Sequence, residues 1–532
     1  MRRAFASLRR WEKYIRAPGP VQAGVCAVFA LAGTVVLSED LPLRLPAPPV
    51  AARPSARLLG LRARAIARPY GPNWRQTADA GVSERQYAIA ADAYRREAAV
   101  YLRNGDVQGA RAELTKAGRY QVAIAAFVRS PIVSAGRGRA RLEPAFGCYL
   151  GAYIDRDDRL PGAYVDENSQ SHKRTGPFEE ITGRPHATYF MYMSYGRPFP
   201  WRWANALKRE GQIPHIAWEP ASLYLVDDEA YLRQFSGECA RFNYPIFLRF
   251  AAEMNGKWTP YNGRPDAYRR AFRKVADAIH RAAPKAAMIW CPNAIPVDTI
   301  AAYYPGDDAV DWVGVNFYSV LFYDNDRRRP AMEDPTDLLR PIYDRYAARK
   351  PIAVGEWAAT HLAACEGVAR PAFAAEKIAR FYAALPRVFP RVKMVNWYDA
   401  NNLREALTGR RLNNYQITDD RIVLEAYRAA VNDPWFLGRY GESADVAEHR
   451  LGNGAGLSGT VRLSAWTKAP VRTRSYWAVD GRIRHATARP GAAAWTWNTA
   501  AEKPGSHRVS LLLYDALGRF IAGGGWTVKV TR

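Results

Sequence analysis

The stretch FLRFAAEMNGKW, Phe247 to Trp258, decides how this chain is read. An apolar run stops at a glutamate and passes at once into Asn-Gly and an aromatic. A strand of a parallel sheet is covered on both faces and reads as a continuous apolar run, so a charge at its end belongs at the exposed tip. That places Glu253 where a side chain can act.

Outward from this run, seven others of the same texture alternate with helical stretches between Arg141 and about Gly438: FGCYLGAYID, HATYFMYMSYG, QIPHIAWEP, AAMIWCPNA, DWVGVNFYS, PIAVGEWAA and VKMVNWYDA. Eight strand candidates separated by helices predict a mixed α/β fold, a (β/α)8 barrel over residues 141–440. In such a barrel the chemistry collects at the C-terminal ends of the strands. The fourth run ends at Glu253 and the seventh at Glu356. Two carboxylates facing each other across the mouth can break a glycosidic bond, one protonating the leaving oxygen while the other acts at the anomeric carbon. A two-residue period places Arg249, Ala251 and Glu253 on one face, and Gly314, Asn316 and Tyr318 on another.

The flanks differ in texture. Residues 1–20 are basic and lead into an apolar segment, 21–37, which reads as a membrane anchor or signal segment. The positive flank stays in the cytoplasm, so the rest of the chain is exported, at the periplasmic face of the inner membrane or secreted if the segment is cleaved. Residues 38–80, rich in Pro, Arg and Ala, read as a linker. Within 81–140, two helical patterns between Ala93 and Ala117 are separated by Asn-Gly-Asp and resemble a single tetratricopeptide unit. From Leu451 to the end at 532, short alternating strands with Asp-Gly turns predict a β-sandwich resembling immunoglobulin-like modules.

The net charge of +25 over 532 residues is spread along the chain without dense Lys/Arg runs, which argues against nucleic acid. An anionic polysaccharide or a membrane surface is the better match. The 16 Trp and 30 Tyr leave aromatics to spare for a sugar-binding cleft. The five cysteines have no metal-ligand spacing and read as buried hydrophobes. His186 and His215 lie in apolar runs and read as core histidines, while Asp155 and Asp157 read either as loop charges or as substrate contacts.

RFAAEMNGKW and PIAVGEWAA, with GVNFYS between them and VNWYDA after, resemble glycoside hydrolase family 26, a retaining family best known for β-mannanases. The resemblance spans about Phe146 to Tyr440. It implies that Glu253 is the general acid/base, Glu356 the nucleophile and Tyr318 its hydrogen-bond partner. It further implies that Trp258 and Trp397 are sugar-stacking platforms, and Trp218 reads as another cleft aromatic. Arg249, Asn255 and Asn316 complete the expected substrate-binding set. Family members commonly have histidine before the acid/base, whereas this chain has Ala252. Tyr261 stands where a second Trp often follows. The implied activity is double displacement on a β-linked polysaccharide of the mannan type or an exopolysaccharide, with neither metal nor organic cofactor. A non-catalytic polysaccharide-binding protein is the alternative.

Overall fold

The computed structural model describes residues 123–132, 140–327, 334–469, 473–487, 491–515, 518 and 520–532. The basic segment, the apolar segment 21–37, the linker and the tetratricopeptide-like hairpin at 93–117 lie outside these residues. What is described of 81–140 is mainly a strand, Ala123–Pro131, which follows the segment read as the hairpin. Among the described residues no helix is long and apolar enough to cross a membrane. The described residues divide into two compact units, one lying within 127–325 and 334–450, the other made of those from 451 onward with 123–126 and 326–327.

The first unit is the barrel. Its strands are β1 (Cys148–Tyr153), β2 (Thr188–Ser194), β3 (Ile213–Glu219), β4 (Ile246–Phe250), β5 (Ala286–Trp290), β6 (Trp312–Ser319), β7 (Ile352–Ala359) and β8 (Val392–Tyr398). They lie parallel in sequence order, and β8 pairs back onto β1 from Met394 opposite Tyr149 to Tyr398 opposite Tyr153, which closes the cylinder. All eight predicted runs are strands of this barrel. The helices are α1 (Thr175–Thr182), α2 (Trp201–Arg209), α3 (Glu229–Phe242), α4 (Pro265–Ala282), α5 (Pro335–Tyr346), α6 (Pro371–Ala384) and α7 (Arg421–Val431). Between β5 and β6 the crossover is reduced to a single 3-10 turn, Ile300–Tyr303.

Helix α4 shows how the outer layer is specified. Pro265 opens it, where a missing N–H costs nothing, and His280 and Arg281 complement the dipole in its last turn. Tyr268, Ala271, Phe272, Val275, Ala276 and Ile279 recur at three- and four-residue spacing and are all buried. Phe272 meets Phe250 of β4 edge-on at 6.1 Å; truncating such a ring to Ala costs about 3–5 kcal/mol.

The inward face follows strand parity. Low in the barrel, Phe247 packs against Tyr149 at 6.5 Å, His215 at 6.2 Å and Trp312 at 5.1 Å. One layer up, the Arg249 guanidinium lies over the Phe190 ring at 5.1 Å. The same parity carries His215 and Ala217 on to Glu219, Phe190 to Tyr192, Asn396 to Tyr398, and Gly314 to Asn316 and Tyr318. The mouth is therefore lined by acids, amides and tyrosines, over an apolar plug.

In the second unit, Ala455–Leu457, Phe520–Val530, Gly505–Asp515, Thr473–Val479 and Arg482–Thr487 form a five-stranded sheet in that order. Thr460–Lys468 pairs antiparallel with Ala492–Asn498. The Trp477 ring of the first sheet lies 6.3 Å from Trp495 of the second, so the two layers face each other as the sequence predicts. The immunoglobulin-like affiliation of this layer pair rests on the sequence alone.

Candidate active site

Strand β4 ends at Phe250, three residues before Glu253. Two non-glycine residues then take left-handed backbone, Ala251 with φ 48° and Glu253 with φ 56°. Such conformations cost on the order of 1–3 kcal/mol each and persist only where the surroundings over-determine them. Here the N–H of Ala251 donates to the Trp218 carbonyl at 3.0 Å, and that of Glu253 to the Cys291 carbonyl at 2.8 Å. The turn, and not the two-residue strand period expected for Arg249, Ala251 and Glu253, aims the acid. Asn255, expected to bind substrate, is buried and staples this turn to the loop after β5. Its amide donates to the carbonyls of Asn293 (2.8 Å) and Pro296 (3.0 Å), and its oxygen accepts from the Asn293 N–H (2.9 Å).

Glu356 is aimed by a different device. Its register against β6 shifts by one residue at Gly355, with Val354 opposite Val315 and Glu356 opposite Asn316. A Cβ on Gly355 would lie 2.6 Å from Asn316 Oδ1 and 2.9 Å from an Arg249 nitrogen, so only glycine leaves room for the groups beneath the carboxylate. Glu356 is buried. One oxygen accepts from the Arg249 guanidinium, and the other from the Tyr318 hydroxyl at 2.5 Å. Burial works against the Arg249 charge, but the adjoining Glu356 carboxylate outweighs it and raises the arginine's pKa.

Asn316 joins the two halves. Its oxygen accepts from Arg249 at 3.1 Å and its amide donates to Glu253 Oε1 at 3.0 Å. It is fully enclosed, and so is a brace between the carboxylates, where the sequence suggested a sugar ligand. The second Glu253 oxygen accepts from Trp258 Nε1 at 2.6 Å. Burial, and then the Glu356 charge, push the Glu253 pKa up, against the hydrogen bonds from Asn316 and Trp258 that favour its ionised form. This is the direction a general acid needs, beside a partner whose two oxygens are held by a cation and a hydroxyl.

A third carboxylate, Glu219, reaches the same space. Tyr261 donates its hydroxyl towards Glu219 Oε2 and the Ala252 carbonyl, each at 2.9 Å. Burial raises the Glu219 pKa to about 7, with Glu253 and Glu356 adding to the shift against Arg249 and Tyr261. Sequence reading passed over it for its neighbour. Trp218, expected in the cleft, is 0% exposed and packs outward between Phe235 of α3 at 4.2 Å and Tyr195 at 4.7 Å. Trp397, expected as a stacking platform, is also 0% exposed, edge-on to Trp357 at 5.2 Å with its Nε1 on the Tyr415 carbonyl. Both expectations are corrected by strand parity: each tryptophan points to the helices, and Glu219 and Tyr398 point to the mouth. Trp258 does stand open, 51% exposed.

The remaining candidates are structural. His186 bonds the Tyr427 hydroxyl at 2.9 Å, and burial lowers its pKa to about 3. His215 is likewise held neutral by burial and by Arg249. Asp157 accepts from Gln416 and Thr418, and Asp155 from His172 at 2.8 Å, so both are engaged within the protein. Cys148, Cys239 and Cys291 are buried free thiols, and Cys365 is partly buried. Among the described residues no group of three or more His, Cys, Asp or Glu is placed to hold a metal ion.

Residues 232–331 match the family described as Glycosyl hydrolase family 26, so the resemblance read from the sequence holds over the segment that contains Glu253 and Asn316. Endoglucanase H of Acetivibrio thermocellus is 23% identical over 329 residues, 58% of this chain and 32% of that protein. A beta-1,3-xylanase of an Alcaligenes species is 30% identical over 119 residues, 21% of this chain and 24% of that protein. The chain thus spans about a third or less of the length of these curated relatives. Among solved structures, a modular endo-beta-1,4-mannanase from Cellulomonas fimi aligns at 15% identity with a TM-score of 0.41, over 72% of this chain and 94% of that one.

Proposed function

Taking glycoside hydrolase family 26 as the family this barrel resembles, we propose that the chain is a retaining glycosidase that cleaves a β-linked polysaccharide by double displacement. The observation that carries the reading is the paired environment of the two glutamates: Glu356 between Arg249 and Tyr318, and Glu253 with its pKa raised and tied to that pair through Asn316. In the first step a Glu356 oxygen attacks the anomeric carbon as the glycosidic C–O bond breaks and the Glu253 proton passes to the leaving oxygen. In the second, Glu253 takes a proton from water, the water oxygen bonds to the anomeric carbon and the ester to Glu356 breaks.

The relatives are named an endoglucanase and a beta-1,3-xylanase, which supports a β-linked backbone as the substrate class. Ala252 in place of the family's histidine, with Tyr261 bonded to its carbonyl, marks the point of departure from mannan specificity. Export to a cell envelope, where such a polymer is found, belongs to the same proposal and rests on residues 1–37. The test is product release from β-mannan, mixed-linkage β-glucan, β-1,3-xylan and bacterial exopolysaccharides by the full chain and its Glu356→Ala variant. Activity that vanishes in the variant and returns with azide, as a glycosyl azide of inverted configuration, supports the reading. A folded wild type that binds but cleaves none of them assigns the cleft to polysaccharide binding.

A further inference from the structure

Tyr318, whose hydroxyl bonds Glu356, meets the Tyr398 ring edge-on at 5.6 Å. Tyr398 stacks on Tyr153 at 5.2 Å with an interplanar angle of 7°, and Tyr153 meets Tyr192 at 5.3 Å. These rings form one continuous wall beside the nucleophile. Arg156, three residues beyond Tyr153 at the C-terminal end of β1, stands at the rim of that wall. Its guanidinium lies close enough to the Tyr398 hydroxyl to favour that hydroxyl's ionised form, and the hydroxyl itself donates to Asn402 Oδ1 at 3.1 Å.

The charges near Arg156 are unusual for a half-buried arginine. Among the described residues no carboxylate lies within ion-pair distance of it, and the groups that weigh most on it are Tyr153, Tyr398 and Tyr192, all neutral at physiological pH. Its neighbours on the same loop are matched: Asp158 pairs with Arg404 at 2.8 Å, and Arg159 with Asp419 at 2.8 Å. Asp155, the adjacent acid, is turned away onto His172 at 2.8 Å and the Lys173 N–H at 3.1 Å. A cation partly withdrawn from water without a carboxylate pays a desolvation cost that a bound anion would offset. Guanidinium geometry suits a carboxylate, and the net charge of +25 favours an anionic polymer.

We propose that Arg156 is a specificity residue that binds an anionic substituent, in the first place a uronic acid carboxylate, on a sugar held beside Glu356. The substrate is then an acidic β-linked polysaccharide. This inference rests on the glycosidase reading for its setting, but the anion site can be tested without turnover.

The probes are β-1,4-linked polymannuronate and polyglucuronate, each beside its carboxyl-reduced form, which differs only at C6. Retardation in affinity gels and product release are measured for the full chain, Arg156→Ala, Arg156→Lys and Glu356→Ala, with folding checked by circular dichroism. Wild type should bind one acidic polymer at least about tenfold more tightly than its reduced form, with the preference shrinking as salt rises. Arg156→Ala should lose that preference and keep its affinity for the neutral polymer, while Arg156→Lys restores part of it. Equal retention of both forms of both polymers by wild type overturns the proposal, whether or not either is cleaved. A preference that survives in Arg156→Ala also overturns it. Acid-selective binding without cleavage of any polymer keeps the anion site and sinks the glycosidase reading instead.

Discussion

The indole N–H of Trp258 donates to Glu253 at 2.6 Å from a ring that is half open to solvent. The tryptophan thus acts on the acid's ionisation, and it need not stack on a sugar to matter. A hydrogen bond to the ionised form lowers a carboxyl pKa, so its removal raises it. Trp258→Phe keeps an aromatic ring, smaller than the indole, and deletes the donor. The alkaline limb of the kcat/KM profile, which reports loss of the Glu253 proton, should therefore move to higher pH. A profile moved to lower pH, or not moved, would show that the bond is not made in solution.

Tyr318 and Arg249 hold the two oxygens of Glu356, but they should fail differently. Tyr318→Phe removes one hydrogen bond to a carboxylate, worth roughly 1.5–3 kcal/mol, and should lower kcat about 10- to 100-fold with thermal stability near wild type. Arg249→Met strands a buried carboxylate, a change that costs about 3–5 kcal/mol, and should depress the melting temperature as well as the rate. Parallel melting curves and initial rates separate the two.

The eight strands and both glutamates were legible because an apolar run ending in an acid is a local signal. What was not legible turns on single-residue parity and on long-range partners. Trp218 and Glu219 are adjacent, and which of them faces the mouth depends on where β3 begins its alternation; aromatic content drew the eye to the one that packs on α3. The same slip exchanged Trp397 for Tyr398. Asn255 sits beside Glu253 in the motif, yet its partners are 38 and 41 residues away, at Asn293 and Pro296, and no spacing rule reaches them. The left-handed turn at Ala251 and Glu253 lacks the glycines that announce such conformations.

Glu219 gives the site a third titration. Its pKa of about 7 means that it gains charge across the neutral range, close enough to Glu253 to be felt. Above pH 7 that charge disfavours ionisation of Glu253 and holds the acid's proton in place. Glu219→Gln removes it, so the alkaline limb should fall to lower pH, opposite in sign to Trp258→Phe. Tyr261→Phe, which deletes a hydrogen bond favouring the ionised form of Glu219, should raise the Glu219 pKa and delay this charging. Carbon-13 NMR titration of labelled glutamates, beside the rate profiles, reads both shifts directly.

Asp399 and Asp157 form a second carboxyl pair, fully enclosed behind the mouth. The Asp399 pKa is raised well above the ordinary range, by burial first and then by the Asp157 charge, while the Ile417 N–H at 2.7 Å opposes the shift. An acid whose folded pKa exceeds its unfolded value, about 3.9, binds more protons folded than unfolded between those two pKa values. Its contribution to stability is complete below the unfolded pKa and is lost as pH rises towards the folded one. Asp399→Asn keeps a donor towards Asp157 and an acceptor for Ile417 without the titration. Urea midpoints of wild type and variant should therefore converge near pH 4, and the variant should become the more stable of the two as pH rises to 8. A constant difference across that range would mean that Asp399 does not hold a proton in the folded protein.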